Sequence, residues 1–406
     1  MIRRTIDTHL LHVLNDWGKI VLLSGPRQVG KTTLARDLQA HIGQGTYFNW
    51  DVVTDQKRLV ADPDFFEKAD RDPARPSLVV LDEIHKYARW KNWLKGAWDG
   101  HHDEFRFLVT GSGRLDLFRK GADSLMGRAV GVPLSPLTVG EVAGTLPSWD
   151  AFKAGLDHVP AESSENQDAY RALLRFGGFP EPFVRAEEAF HNVWHQERKT
   201  MLIRQDIRDA TRIREVSLLE VLSHLVPPRV GSPLSVNSLR EDVGVAFETV
   251  RDWLLVLEQF YYLFRVTPWS KSVARSLKKE AKVYLYDWVE VPGDGPRFEN
   301  LVAMHLLKAV TTWRALGAGD VELHYVRDKE KREVDFVLTE GGQPVCLVEC
   351  TSGDETPSPA LRYFQGTLGV PTAVQLVNKP GICRKSREEG RSLWVVSADR
   401  WLAMLP

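Results

Sequence analysis

Residues 20–32 read IVLLSGPRQVGKT: an apolar run, a glycine-rich turn, and then the start of a segment with helical spacing, Thr32–Ala40. The turn Gly25-Pro26-Arg27-Gln28-Val29-Gly30-Lys31-Thr32 fits the pattern G-x-x-x-x-G-K-[ST]. Its glycines let the backbone curl until its N–H groups point inward, and the following helix adds the positive end of its dipole. ATP is the ligand expected in such a cradle, held by residues Gly25 to Thr33. Lys31 is expected to reach the β- and γ-phosphates, and the Thr32 hydroxyl to ligate Mg2+.

Outward from this turn, apolar runs recur at Tyr47–Trp50, Ser77–Leu81 (SLVVL) and Phe105–Thr110 (FRFLVT), separated by helical spacing. That alternation predicts an α/β fold, a parallel sheet covered by helices, of the P-loop NTPase kind. Two acids, Asp82 and Glu83, close the second of these strands. Ligands of open parallel sheets gather at the carboxyl ends of the strands. Asp82 is therefore expected to hold Mg2+, and Glu83 to polarise the attacking water. The next strand ends in Thr110-Gly111-Ser112-Gly113. Thr110 or Ser112 is either a sensor of the γ-phosphate or an ordinary turn residue.

The bulk properties set limits. A chain of 406 residues exceeds what one core usually spans, so several modules are expected. A formal net charge of −1 excludes a polyelectrolyte built to coat nucleic acid. Three cysteines, Cys346, Cys350 and Cys383, do not make a disulfide framework, and no zinc-type spacing accompanies them. The N-terminal residues lack a secretory pattern, and no apolar stretch is long enough to span a bilayer, so a cytoplasmic location is expected.

Four regions are expected: a nucleotide-binding core at 1–147, a polar linker and helical lid at 148–215, a winged-helix-like module at 216–290, and a final α/β module at 291–406. In the third region three helical segments precede two strand-like runs, with a basic stretch at 269–282 between them. That stretch carries Lys271, Arg275, Lys278, Lys279 and Lys282, a candidate contact for DNA phosphates. The neighbouring helix carries Glu248, Asp252 and Glu258 against Arg251, which counts against entry into a groove.

Taken together, GPRQVGKTTL, LVVLDEIHK, LVTGSGRLDLF, SLMGRAVGVPLSPLTVGEV, GGFPEP, RQDIRD, KVYLYDW and FENLVAMHLL with EVDFVL and VECT resemble a widespread bacterial and archaeal family of AAA-type ATPases. The resemblance implies ATP hydrolysis with Mg2+ and a homo-oligomer. It also marks Arg128, in the Gly127-Arg128 pair, as an arginine finger or else the partner of a local acid; Arg114 is a second candidate.

The family's last module resembles the PD-(D/E)xK nuclease fold. Three acids match that pattern: Glu299, Asp335 and Glu349. The lysine does not, because the E-x-K position reads Glu349-Cys350-Thr351. Lys308, on the helix of Glu299, is a candidate substitute. The departure predicts a nuclease-like fold that is inactive or draws its positive charge from elsewhere.

Overall fold

The computed structural model describes residues 2–112, 125–211, 213–270 and 280–406. Its contacts divide the chain into two compact units, Arg4–Ser135 and Pro136–Pro406, the latter with the extreme N-terminal residues.

In the smaller unit, β1 (Ile20–Gly25), β2 (Gly45–Asn49), β3 (Ser77–Asp82), β4 (Phe105–Ser112) and β5 (Ala129–Pro133) form one sheet in the order β2-β3-β4-β1-β5. All of its pairings are parallel. β3 is buried along its whole length, which is why its sequence is an unbroken apolar run rather than an alternation. The register sets Asp82 beside Asn49 on one flank and Thr110 on the other. Phe48, Phe65, Phe66, Leu81, Leu94 and Phe107 belong to the aromatic-rich core of this unit.

The larger unit contains β6 (Leu263–Pro268), β7 (Lys282–Leu285), β8 (Val321–Arg327), β9 (Glu333–Glu340), β10 (Gln343–Thr351), β11 (Thr372–Val377), β12 (Cys383–Glu388) and β13 (Arg391–Ser397). They make one mixed sheet in the order β12-β13-β11-β10-β9-β8-β6-β7. The helix Asp294–Ala315 buries Phe298, Leu301, Met304 and Trp313 in the same core as β10 and β11.

Three expectations about organisation need correction. The first region does not extend to residue 147: Leu137 donates its N–H to the Gly178 carbonyl at 2.6 Å and packs in the core of the larger unit. The polar stretch after 147 is not a loose linker. It folds into the helix Trp149–Gly155, capped by the Ser148 side chain, and buries Trp149 and Phe152. Two aromatics in a polar run supply enough apolar area to anchor a short helix. Regions 216–290 and 291–406 do not have separate cores, because Trp253 and Leu257 share one buried cluster with Leu301 and Val348, and β6 pairs with β8.

The helices Val216–Leu225, Val236–Val243 and Phe247–Gln259 precede the antiparallel pair β6 and β7, in the order read from the sequence. Among the described residues, no helix is long and apolar enough to cross a membrane.

Candidate nucleotide site and a second acidic cluster

The turn between β1 and the helix Lys31–Ile42 has two positions that only glycine suits. Gly30 sits at φ +100° as the helix begins. At Gly25 a Cβ would lie 2.2 Å from the Leu134 carbonyl oxygen, so the close approach of two backbones excludes a side chain. Val29 is buried, and its carbonyl accepts from Arg4 Nη1 at 2.8 Å, while Arg4 Nη2 donates to the Ser135 carbonyl at 2.5 Å. Arg4 thus clamps the turn from outside the motif. Lys31 is buried, and its Nζ donates to the carbonyls of Gly25 at 2.9 Å and Pro26 at 2.7 Å. Gln28 takes a left-handed conformation at φ +65°, and Thr33 is exposed at the first turn of the helix.

Asp82, at the end of β3, is buried and accepts three hydroxyls. Thr32 Oγ1 donates to Oδ2 at 2.8 Å, Tyr47 OH donates to Oδ2 at 2.5 Å, and Thr110 Oγ1 donates to Oδ1. Burial and the hydrogen bond to Asp82 push the Tyr47 phenol up to about 12, so it remains a donor at neutral pH. The Arg36 guanidinium lies 4.3 Å from the centre of the Tyr47 ring. These hard oxygen donors, Thr32 and Asp82, fit Mg2+.

Glu83 follows at φ +56°, a left-handed conformation uncommon for a residue with a side chain. Burial raises its pKa from the ordinary glutamate value, against the lowering charges of Lys86 and Lys31. Lys86 Nζ lies 3.4 Å from Glu83 and hydrogen-bonds Asp51 at 2.6 and 2.7 Å; His85 Nε2 is 3.6 Å from Glu83. Thr32 and Thr110 thus meet the Asp82 carboxylate at the carboxyl ends of the strands, and Lys31 lies against the turn that follows β1.

Arg128 pairs with Asp99 through two hydrogen bonds of 2.6 and 3.1 Å. For Ser112 the structure gives the backbone at the end of β4, opposite Gly25. Arg114 lies outside the described residues.

In the larger unit Glu299, Asp335 and Glu349 come together from the helix Asp294–Ala315, β9 and β10. The Asp335 N–H approaches Glu349 Oε2 at 3.4 Å, and the Cys350 N–H donates to Asp335 Oδ2 at 3.0 Å. Lys308 does not join them. It is buried elsewhere in the unit, paired with Glu141 and donating to Thr138 Oγ1 at 3.2 Å. A different lysine does: Lys282 Nζ lies 3.3 Å from Glu299, 3.1 Å from Asp335 and 2.7 Å from Glu333. The expectation that Lys282 faces DNA phosphates from a wing is therefore corrected, because its side chain is 1% exposed. Lys271, Arg275, Lys278 and Lys279 lie outside the described residues.

Sequence reasoning missed Arg4 and Tyr47, and it gave Lys282 a different role. Arg4 and Tyr47 each act across the fold from a segment with no motif of its own.

Residues 18–143 match the family described as AAA domain. Residues 167–288 and 294–398 match two families described as domains of unknown function, DUF8612 and DUF4143. An uncharacterised protein of Mycobacterium tuberculosis is 27% identical over 269 residues, which cover 66% of this chain and 54% of the relative; a counterpart in Mycobacterium bovis matches equally. The chain thus spans about half the length of these curated relatives. Among solved structures, AMPPCP-bound DnaA from Aquifex aeolicus aligns over 64% of this chain and 90% of its own, with a TM-score of 0.30 and 13% identity. A signal-transduction ATPase with a tetratricopeptide repeat sensor from Pyrococcus horikoshii aligns over 76% and 47%, with a TM-score of 0.29 and 13% identity.

Proposed function

We propose that this AAA-type P-loop unit binds ATP with Mg2+ and hydrolyses it, and that the cycle moves the larger unit. One observation carries the reading: a buried lysine, a helix N-terminus and a hydroxyl-bound aspartate converge where the glycine turn meets the ends of β3 and β4. Residues 25–33 cradle the phosphates, and Lys31 exchanges its two carbonyl partners for phosphate oxygens. Thr32 and Asp82 would hold Mg2+, which supplies positive charge to the phosphate chain. Glu83 accepts a proton from water as that water's oxygen bonds to the γ-phosphorus and the bond from the γ-phosphorus to the bridging oxygen breaks, so that ADP leaves and phosphate is formed. Thr110 fixes Asp82 and senses the state of the pocket, with Ser112 next along the strand.

Arg128 is the candidate finger toward a neighbouring copy, which requires it to leave Asp99. Arg128→Ala then abolishes turnover while nucleotide binding persists, whereas Asp99→Ala preserves turnover. Equal loss in both variants would assign Arg128 to local packing alone. The reading itself is tested by phosphate release from ATP with Mg2+, measured with and without DNA. No release and no ATP binding would overturn it.

A second reading, an ATP-gated DNA-binding protein, draws on the helix-helix-helix-hairpin order of residues 216–285 and its winged-helix-like layout. The helix Phe247–Gln259 weakens it, since Arg251 is paired with Asp252. The gathering of Glu299, Asp335 and Glu349 supports a nuclease-like fold for the last module. A low-salt gel shift that requires Lys278 and Lys279 distinguishes the DNA reading from the ATPase alone.

A further inference from the structure

The smaller unit begins at Arg4 and ends at Ser135, so the chain enters and leaves it at these two residues. A single side chain ties both ends to the glycine turn. Arg4 is buried, with 6% of its surface exposed. Its Nη1 donates to the Val29 carbonyl at 2.8 Å and its Nη2 to the Ser135 carbonyl at 2.5 Å. The two branches of one planar guanidinium therefore hold a peptide of the turn and the last peptide of the unit at a fixed spacing.

Both acceptors sit where a change is felt. The Val29 carbonyl shares its peptide plane with the Gly30 N–H, and in a trans peptide the two point in opposite directions. Holding the carbonyl fixes the aim of the Gly30 N–H, one of the donors expected to meet phosphate. Val29 is flanked by Gln28 at φ +65° and Gly30 at φ +100°, the kind of alternation that turns successive N–H groups toward one anion. A guanidinium on the carbonyl also polarises the peptide and strengthens its N–H as a donor. The Ser135 carbonyl belongs to the peptide that leads into Pro136, where the larger unit resumes.

The exit is laid along the turn. The Leu134 N–H donates to the Ser24 carbonyl at 2.7 Å, and a Cβ on Gly25 would stand 2.2 Å from the Leu134 carbonyl oxygen. These contacts reach only the start of the turn, and Arg4 extends the link to Val29. Arg4 is itself anchored. Its carbonyl accepts the Asp7 N–H at 3.3 Å, and the helix Asp7–Asn15 buries Leu10, Val13 and Leu14.

We propose that Arg4 is a positioning residue that sets the Val29–Gly30 peptide for phosphate and passes the state of that peptide to the Ser135–Pro136 junction. The inference rests on the nucleotide-binding reading above, but not on hydrolysis, on Glu83 or on an oligomer. Coupling between two sites is reciprocal, so a guanidinium shared by both carbonyls makes order at one favour order at the other. Without it each end keeps its local contacts and the link is broken.

The test is hydrogen exchange of the full chain with and without ADP and Mg2+, alongside a calorimetric titration of ADP. In wild type, ADP slows exchange at residues 28–31 and also at the amides of Leu134 and Ser135. Arg4→Met weakens ADP about tenfold, through loss of the charge-assisted hold on one peptide of the turn. At saturating ADP this variant keeps the protection at 28–31 and loses the response at Leu134 and Ser135. Arg4→Lys retains a cation that donates to carbonyls, so it holds ADP affinity within about threefold of wild type and recovers part of the response. Arg4→Gln, too short to reach either carbonyl, gives the Arg4→Met result and serves if that variant fails to fold. A residue that only packs would lower stability and leave the response at Leu134 and Ser135 intact. An equal response in wild type and Arg4→Met, or ADP binding in wild type with no change at Leu134 and Ser135, overturns this proposal and leaves the nucleotide reading standing. A wild type that binds no ADP overturns both.

Discussion

Replacing Tyr47 with phenylalanine removes one hydroxyl from the Asp82 carboxylate and leaves the ring beneath Arg36 in place. The lost bond is 2.5 Å long and its acceptor is charged. Hydrogen bonds to charged groups contribute about 1.5–3 kcal/mol. Tyr47 is only half-buried, so solvent screening favours the lower end, about 1.5 kcal/mol, which corresponds to roughly tenfold in an equilibrium or a rate. Asp82 keeps Thr32 and Thr110 as donors, so the carboxylate loses orientation rather than position. The effect should appear in the Mg2+ dependence of ATP turnover. At saturating ATP, Tyr47→Phe raises the half-saturating Mg2+ concentration or lowers kcat by about tenfold, while nucleotide affinity measured without Mg2+ stays within twofold. Thr110→Val acts on the same carboxylate, so the two substitutions should be non-additive in a double-mutant cycle. Turnover and Mg2+ dependence both unchanged in Tyr47→Phe would refute the idea that the phenol positions Asp82.

Other outcomes follow from packing and from buried titratable groups. His305 is neutral in the fold: Nδ1–H donates to the Leu301 carbonyl at 2.8 Å, Nε2 accepts the Val139 N–H at 3.1 Å, and burial lowers its pKa to about 3. The unfolded chain binds the extra proton first, so the stabilisation is complete above pH 6.5 and is lost as pH falls toward 3, by about 1.4 kcal/mol per unit; His305→Gln should flatten this slope in chemical denaturation. At Gly140 an added Cβ would meet the Leu405 carbonyl oxygen at 1.8 Å, so Gly140→Ala should cost about 1–3 kcal/mol and lower Tm by several degrees. Gly96 lies within the helix Trp90–His101 with open space around its Cβ position, so Gly96→Ala should stabilise by about 0.5–1 kcal/mol.

The parts of the site that were legible in sequence are those where neighbours in space are also neighbours along the chain. The P-loop is a continuous turn, and Asp82 and Glu83 end a strand whose burial on both faces is written as five apolar or small residues in a row. Tyr47 was hidden because a tyrosine in a strand usually signals packing, and only the register of β2 against β3 brings its hydroxyl to Asp82. Lys282 was misread for a related reason. It ends a basic run that looks solvated, yet the pairing of β7 with β6 turns its side chain into a cup built from distant acids. Lys308 shares a helix with Glu299, which suggested a common site. Its distance along that helix instead brings it to Glu141. The helix Trp149–Gly155 was taken for linker because local composition was polar, while two aromatics carried its packing.

The most direct measurement is ATP binding and phosphate release by the purified chain with Mg2+, compared across wild type, Lys31→Ala and Glu83→Gln. Hydrolysis in this pocket requires that wild type turn over, that Lys31→Ala lose nucleotide affinity, and that Glu83→Gln retain ATP without releasing phosphate. Turnover persisting in both variants, or a wild type that binds no adenine nucleotide, would contradict it.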